Sequence, residues 1–143
     1  MSKFTVLSDI LKSTYKSYQS YDDKDKANHE TIVGAAVFYL PSDKEKLWSG
    51  YLSEESLRTG EQVTEHMYPR RIGGKELLSI DWDSIADPEE HLRNLYYNKY
   101  GLYHIVTKKE NSSLRPYQKY GVFTTPEDAY VKCNIKLVLT RIT

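Results

Sequence analysis

A single cysteine, Cys133, stands in this sequence, and its isolation rules out both an internal disulfide and a Cys-based zinc site. Aromatic bulk other than tyrosine is scarce, with 3 Phe and 2 Trp against 13 Tyr, so tyrosine must supply most of the large packing groups. Net charge is missing as well. The 20 Lys+Arg offset 20 Asp+Glu, so any nucleic-acid contact has to come from a local basic patch and not from a global positive field. The longest apolar run, residues 32–40, falls far short of the roughly 20 residues a membrane helix needs. The first residues carry charge inside their apolar stretch and show no cleavable signal pattern. Together these absences lead to the expectation of a cytoplasmic protein with no membrane partner. What remains is 143 residues, 39% hydrophobic and 28% charged, a length and balance suited to one soluble domain.

Local patterns predict a mainly helical α+β fold with a small β element in the second half. Phe4, Leu7, Leu11, Tyr15 and Tyr18 fall at spacings of three and four, one face of a helix. Residues 32–40 read more as helix than strand, since Gly34, Ala35 and Ala36 offset the β-branched Ile32, Val33 and Val37. Short helical pieces are expected over residues 44–48 and 54–57, the second stopped by Gly60. Residues 62–68 read as a strand closed by Pro69, and residues 70–75 as a basic loop holding Gly73 and Gly74. Asp87-Pro88-Glu89-Glu90 opens a helix that ends before Gly101, with His91 solvated in its first turn. Residues 102–106 read as a strand. Thr107 and Glu110 then form a capping box over a short helix that Pro116 must end. Thr125-Pro126 starts a last helix, in a C-terminal stretch that is also rich in β-branched residues.

Chemistry is concentrated in two stretches. In Glu65-His66-Met67-Tyr68-Pro69-Arg70-Arg71-Ile72-Gly73-Gly74, a regular strand places the carboxylate and the imidazole on opposite faces. The carboxylate can then reach a metal behind the strand while the imidazole faces a water across a bound phosphate, with the arginines and glycine amides around that phosphate. This stretch resembles the first motif of the HNH, or ββα-metal (His-Me finger), endonuclease superfamily. The second stretch, residues 103–114, is similar to the strand and helix that complete that superfamily's ββα element, with Asn111 in the first turn of the helix and Leu114 packing it down. The resemblance covers roughly residues 61–118, and the spacing of 45 positions from His66 to Asn111 (111 minus 66) implies that the helix after Asp87 is an insertion between the two strands.

Carried over by position, the resemblance implies His66 as general base and Glu65 and Asn111 as oxygen ligands of one Mg²⁺ or Mn²⁺, a hard cation suited to such donors. It implies Asn94, or alternatively Asn98, as the residue orienting the histidine. Arg70, Arg71, Lys75, Lys108, Lys109 and Arg115, with Lys119, form a basic subset that fits phosphate contacts. His104 is an alternative ligand or a packing residue. The implied activity is hydrolysis of DNA phosphodiester bonds in a restriction-like, homing or phage-encoded setting. Residues 1–60 would be a DNA-binding or dimer-forming helical part, and residues 119–143 a C-terminal helix or strand. Cleavage of both strands calls for a homodimer. Two readings compete with it: a non-catalytic interaction or accessory protein using a tyrosine-rich helical surface, and an RNA-directed binder or nuclease.

Overall fold

Ser2 starts the first helix by accepting the Phe4 amide at 3.0 Å, and the chain continues as helices broken by short strands. In order, the elements of this computed structural model are α1 (Lys3–Tyr18), α2 (Asp23–Tyr39), β1 (Trp48–Ser53), α3 (Glu54–Thr59), β2 (Val63–His66), α4 (Arg70–Leu78), α5 (Pro88–Leu95), β3 (Tyr103–Val106), α6 (Lys108–Leu114), α7 (Pro126–Lys132) and β4 (Leu137–Leu139). One-turn 3-10 segments lie at Trp82–Ser84 and Arg115–Tyr117, and a π-helical turn at Tyr96–Tyr100. The structure describes residues 2–39 and 47–140; most of the helical piece expected over residues 44–48 lies outside them. The fold class is mainly helical α+β, as expected. The chain forms two units, Met1–Lys44 with Arg70–Gly101, and Glu45–Pro69 with Leu102–Thr143. Neither follows the expected divisions at residues 60 and 118.

The first unit is helical. α1 buries Phe4, Leu7, Leu11, Tyr15 and Tyr18, the face its spacing defines. α2 settles the helix-or-strand ambiguity of residues 32–39 in favour of helix, burying Val33 and Val37 one turn apart. Trp82 is fully buried and donates its indole N–H to the Leu77 carbonyl at 2.7 Å, while Asp81 and Asp83 stay exposed. Tyr96 and Tyr100 belong to this core, and the Phe4 ring meets Tyr96 edge-on at 5.3 Å. His91 is half-buried against Trp82, and not solvated as its acidic neighbours suggested.

The expected basic loop over residues 70–75 is corrected by the structure: Arg70 to Leu78 is helix α4. Its two glycines serve helix contact. A Cβ on Gly74 would stand 2.0 Å from the Glu30 carbonyl oxygen of α2, and one on Gly34 of α2 would stand 2.0 Å from the Arg70 carbonyl oxygen. Glycine weakens a helix interior by about 1 kcal/mol relative to alanine. Here the bare backbones approach so closely that no side chain fits between them.

The second unit carries a four-stranded mixed sheet in the order β2-β3-β1-β4, wider than the hairpin expected. β2 pairs antiparallel with β3, setting Glu65 opposite His104 and His66 opposite Tyr103. β1 runs parallel to β3, and β4 antiparallel to β1. Thus β2, β3 and α6 follow one another in ββα order, with Arg70–Gly101 intervening in the chain and belonging to the first unit. Beneath the sheet lies a core of Val106, Leu114, Ala129, Tyr130 and Ile135, flanked by Tyr117, Cys133 and Leu137.

The α2–α4 approach makes a sharp prediction. Gly34→Ala and Gly74→Ala should each destabilise the protein by about 2–3 kcal/mol, the usual cost of overpacking. Gly73→Ala meets only the edge of the Tyr100 ring at 3.3 Å and gains helix propensity, so it should stay within about 1 kcal/mol of wild type. Urea midpoints measure all three. Wild-type stability in the first two would show that the helices do not cross at these glycines.

Candidate functional site

Strand alternation and the β2–β3 register place the chemistry-bearing side chains of the second unit. Glu65 and His104 are directly paired across the ladder and therefore project from the same sheet face, which is also the face of Val106 and the core beneath it. His66 and Tyr103 project from the other face, where their rings meet edge-on at 6.1 Å. The opposite-face arrangement expected of Glu65 and His66 is therefore present in β2.

Helix α6 is fixed by interlocking caps. Thr107 Oγ1 accepts the Glu110 amide at 3.1 Å, and Glu110 Oε1 accepts the Thr107 amide at 2.9 Å. The Ser53 hydroxyl, at the end of β1, donates to that same Glu110 oxygen at 2.6 Å and itself caps α3 by accepting the Ser56 amide. These bonds tie α6 to the sheet, and the helix packs against β2. Asn111 is half-buried and lies three residues before the fully buried Leu114, on the same side of the helix. Lys108, Lys109 and Arg115 are exposed around this helix.

Glu65 is only 3% exposed. Tyr130 donates its hydroxyl to Oε2 at 2.7 Å, and Gln118 donates its side-chain amide to Oε1. Both donors are neutral, and none of the ion pairs among the described residues involves this carboxylate. Burial raises its pKa above the ordinary carboxylate range, against the opposing pull of the two donors. Tyr130 is driven upward too, first by burial and then by the adjacent Glu65 charge.

His104 takes the packing role of the two considered for it. Its ring lies 5.5 Å from that of Tyr130 and 5.7 Å from that of Tyr51, and its Nδ1 is hydrogen-bonded to Ser49 Oγ at 2.5 Å. Burial pushes the imidazole down to about 4, only partly countered by the charge of Glu127.

Of the other residues singled out from the sequence, Lys119 is exposed in the second unit and the rest lie in the first. Arg71 Nε donates to Oε1 of Glu30 at 2.9 Å, and Tyr18 donates to the other oxygen of this 1% exposed carboxylate. The expectation that Arg71 lines a phosphate loop is thereby corrected: its charge balances a buried glutamate. Arg70 stacks over Phe38 and Tyr39, 5.0 and 4.8 Å from the ring centres. The Gly73 and Gly74 amides sit within α4 and form no loop cradle. Lys75 is exposed on that helix. Asn94 and Asn98 are both exposed, and Asn98 donates its side-chain amide to the Asn94 carbonyl at 2.9 Å.

Sequence reasoning missed Tyr130 and Gln118 as partners of Glu65. The signal was indirect: a glutamate on an inward strand face demands donors, but which donors depends on how distant segments fold. For a metal, the donor chemistry is right in kind, a carboxylate and an amide oxygen. No three His, Cys, Asp or Glu side chains converge among the described residues. Two protein oxygens suffice for an ion such as Mg²⁺, which keeps several waters and takes further oxygens from phosphate. Each Glu65 oxygen also has acceptor capacity beyond the one donor it holds. Comparison of the chain with family models, with curated proteins and with solved structures finds no match in any of the three. Among the described residues, no helix is long and apolar enough to cross a membrane.

His104 predicts a pH dependence. Its folded pKa lies below that of the unfolded chain, so the unfolded state binds the extra proton first. Stability should therefore fall as pH drops from about 6.5 towards about 4, by on the order of 3 kcal/mol in total. Glu65 acts in the opposite sense, because its raised folded pKa makes protonation favour the native state as pH falls. Denaturant titrations across this range should show a shallower acid slope for His104→Gln than for wild type. Equal slopes would mean that His104 is not buried in its neutral form.

Proposed function

We propose that this chain is a metal-dependent endonuclease of the HNH type, acting in the cytoplasm on DNA phosphodiester bonds. The observation that carries the reading is the buried Glu65 carboxylate, held by two neutral donors on the sheet face above α6. A buried carboxylate without a counter-charge is costly, and a cation is its natural complement. Glu65 and Asn111 would hold that cation. A divalent ion, when bound there, supplies positive charge to the negative charge that develops on phosphate oxygens.

The protein side chains divide the rest of the work. His66 stands on the opposite face of β2 from Glu65, so the proton of an attacking water passes to an imidazole separated from the metal-binding carboxylate by the strand itself. Lys108, Lys109 and Arg115 offer exposed cations around α6 for neighbouring phosphates. The first unit, taken by itself, exposes Lys75 and the stacked Arg70. Cutting both strands of a duplex would use two copies of the chain.

The test is direct. Supercoiled plasmid incubated with the protein and Mg²⁺ or Mn²⁺ should be nicked or linearised, and chelator should abolish the reaction. His66→Ala should lower the rate by about 10²-fold or more, the usual worth of a general base. Glu65→Gln and Asn111→Ala should act mainly by raising the metal concentration that cleavage requires. Cutting of single-stranded RNA with DNA left intact would reassign the substrate. No cleavage with any divalent ion, or full activity in His66→Ala, would overturn the proposal and leave the accessory-protein reading in its place.

A further inference from the structure

We infer that the turn from Arg115 to Phe123, which follows α6, holds a single strand of DNA, with Arg115 and Lys119 on its phosphates and the Tyr120 ring stacked on a base. The choice of ligand rests on the nucleic-acid reading above, but the binding itself needs no metal ion.

Charge singles out this stretch. The chain as a whole is neutral, yet residues 107–123 carry four cations, Lys108, Lys109, Arg115 and Lys119, against one carboxylate, Glu110. Glu110 is committed to its capping box and to the Ser53 hydroxyl. Arg115 and Lys119 are exposed, and neither takes part in an ion pair among the described residues. Two such cations close together on one turn complement a phosphate chain. The aromatic group follows at once in the sequence, and Tyr120 is 43% exposed. Rings set among cations hold single strands because every base offers a flat face for stacking. In a duplex those faces are covered by neighbouring bases, so an exposed ring favours an unpaired strand.

The turn is held from within. Leu114 is fully buried, Tyr117 packs against the core beneath the sheet, and Gln118 donates to the buried Glu65, while Arg115, Lys119 and Tyr120 face solvent. Backbone bonds fold the segment back on itself. The Gln118 amide donates to the Arg115 carbonyl at 3.2 Å, and the Val122 and Phe123 amides donate to the Lys119 carbonyl at 3.0 and 2.9 Å. Gly121, at φ 85°, permits the reversal. At the far end the Phe123 ring meets Tyr68 edge-on at 5.8 Å. Side chains on a backbone anchored in this way have less freedom to lose on binding than those on a free loop. The Gln118–Glu65 bond then has a role of its own, which is to fasten the binding turn to the sheet.

The experiment reads binding without hydrolysis. A fluorescein-labelled oligo(dT) of about 20 nucleotides, longer than the usual site of one small domain, and a duplex of the same length are titrated with the full-length protein in EDTA. Anisotropy reports binding, and circular dichroism checks that each variant is folded. Wild type should bind the oligo(dT) more tightly than the duplex. Tyr120→Ala should weaken oligo(dT) binding by at least about 5-fold with its salt dependence unchanged, and Tyr120→Phe, which keeps the ring, should bind as wild type does. Arg115→Ala and Lys119→Ala should each weaken binding and reduce the slope of log K against log salt by about 0.7, the share of one phosphate contact on a single strand. Lys24→Ala, at an exposed position of the first unit, should change neither quantity. Tighter binding of the duplex, or wild-type affinity in Tyr120→Ala, would overturn the stacking role and with it the inference. Unchanged salt slopes in both Arg115→Ala and Lys119→Ala would overturn it as well. No binding of oligo(dT) by a wild-type protein that still cuts plasmid would overturn this inference alone. Binding as described, with no cleavage under any divalent ion, would uphold it and remove the hydrolytic reading.

Discussion

The antiparallel ladder between β2 and β3 sets every other relation in the second unit. Glu65 and His104 are 39 residues apart in the chain (104 minus 65), yet they stand opposite each other in the sheet. Because side chains alternate with a period of two, this register decides which of them enters the core and which faces away. A slip of one residue would turn Glu65 out, carry His66 in, and break both hydrogen bonds to the carboxylate. Specification of the register falls to the apolar side chains on the covered face. Val106 is fully buried there, while Thr64, projecting the other way, is exposed. The site therefore inherits its precision from ordinary core packing and needs no special backbone conformation of its own.

Two buried glutamates show how differently one group can be accommodated. Glu30 receives an arginine and a tyrosine, so its charge is balanced inside the first unit and its role is structural. Glu65 receives a tyrosine and a glutamine, which satisfy hydrogen bonding but bring no positive charge, and burial raises its pKa. The two arrangements differ in a single donor, and that donor carries the argument for function. Removing either partner of a buried ion pair is strongly destabilising because it strands a charge. Loss of Arg71 would thus act through folding.

Legibility in the sequence followed locality. Helix starts at Asp87, Thr107 and Thr125 were readable because each cap bonds an amide three residues away. The strands of the β2–β3 pair were readable for a related reason, since their limits are set by nearby proline, glycine and the capping threonine. What failed depended on distant chain. Gly73 and Gly74 have the composition of a loop, and only the approach of α2 makes them helical contact residues. Arg71 looked like a phosphate ligand because Glu30, 41 residues earlier, cannot be paired with it by inspection. β1 went unread because its six residues, Trp-Ser-Gly-Tyr-Leu-Ser, include a glycine at φ 88° and lack clean alternation. For the candidate site, the faces of Glu65 and His66 and the cap preceding Asn111 were legible. The donors that hold Glu65 were not, being 53 and 65 residues away.

The same distinction bears on how much weight sequence spacing can carry in recognising such a site. The 45 residues from His66 to Asn111 would be a serious objection if the intervening chain had to be spanned by an unstructured loop. It does not. Residues 70–101 fold into helices of the first unit, and the chain resumes the ladder at once: the Met67 amide bonds the Leu102 carbonyl at 3.4 Å, immediately beyond the His66–Tyr103 pair. Closing a long connection adds little free energy per added residue, and less still matters when the connection has a core of its own. The relevant relations are therefore short ones, the place of Glu65 and His66 at the end of β2 and the step from Thr107 to Asn111 in the capped first turn of α6. Both remain unchanged whatever length is inserted between the strands. Strand face and helix cap are thus set by short stretches of chain, independently of the number of residues between the strands.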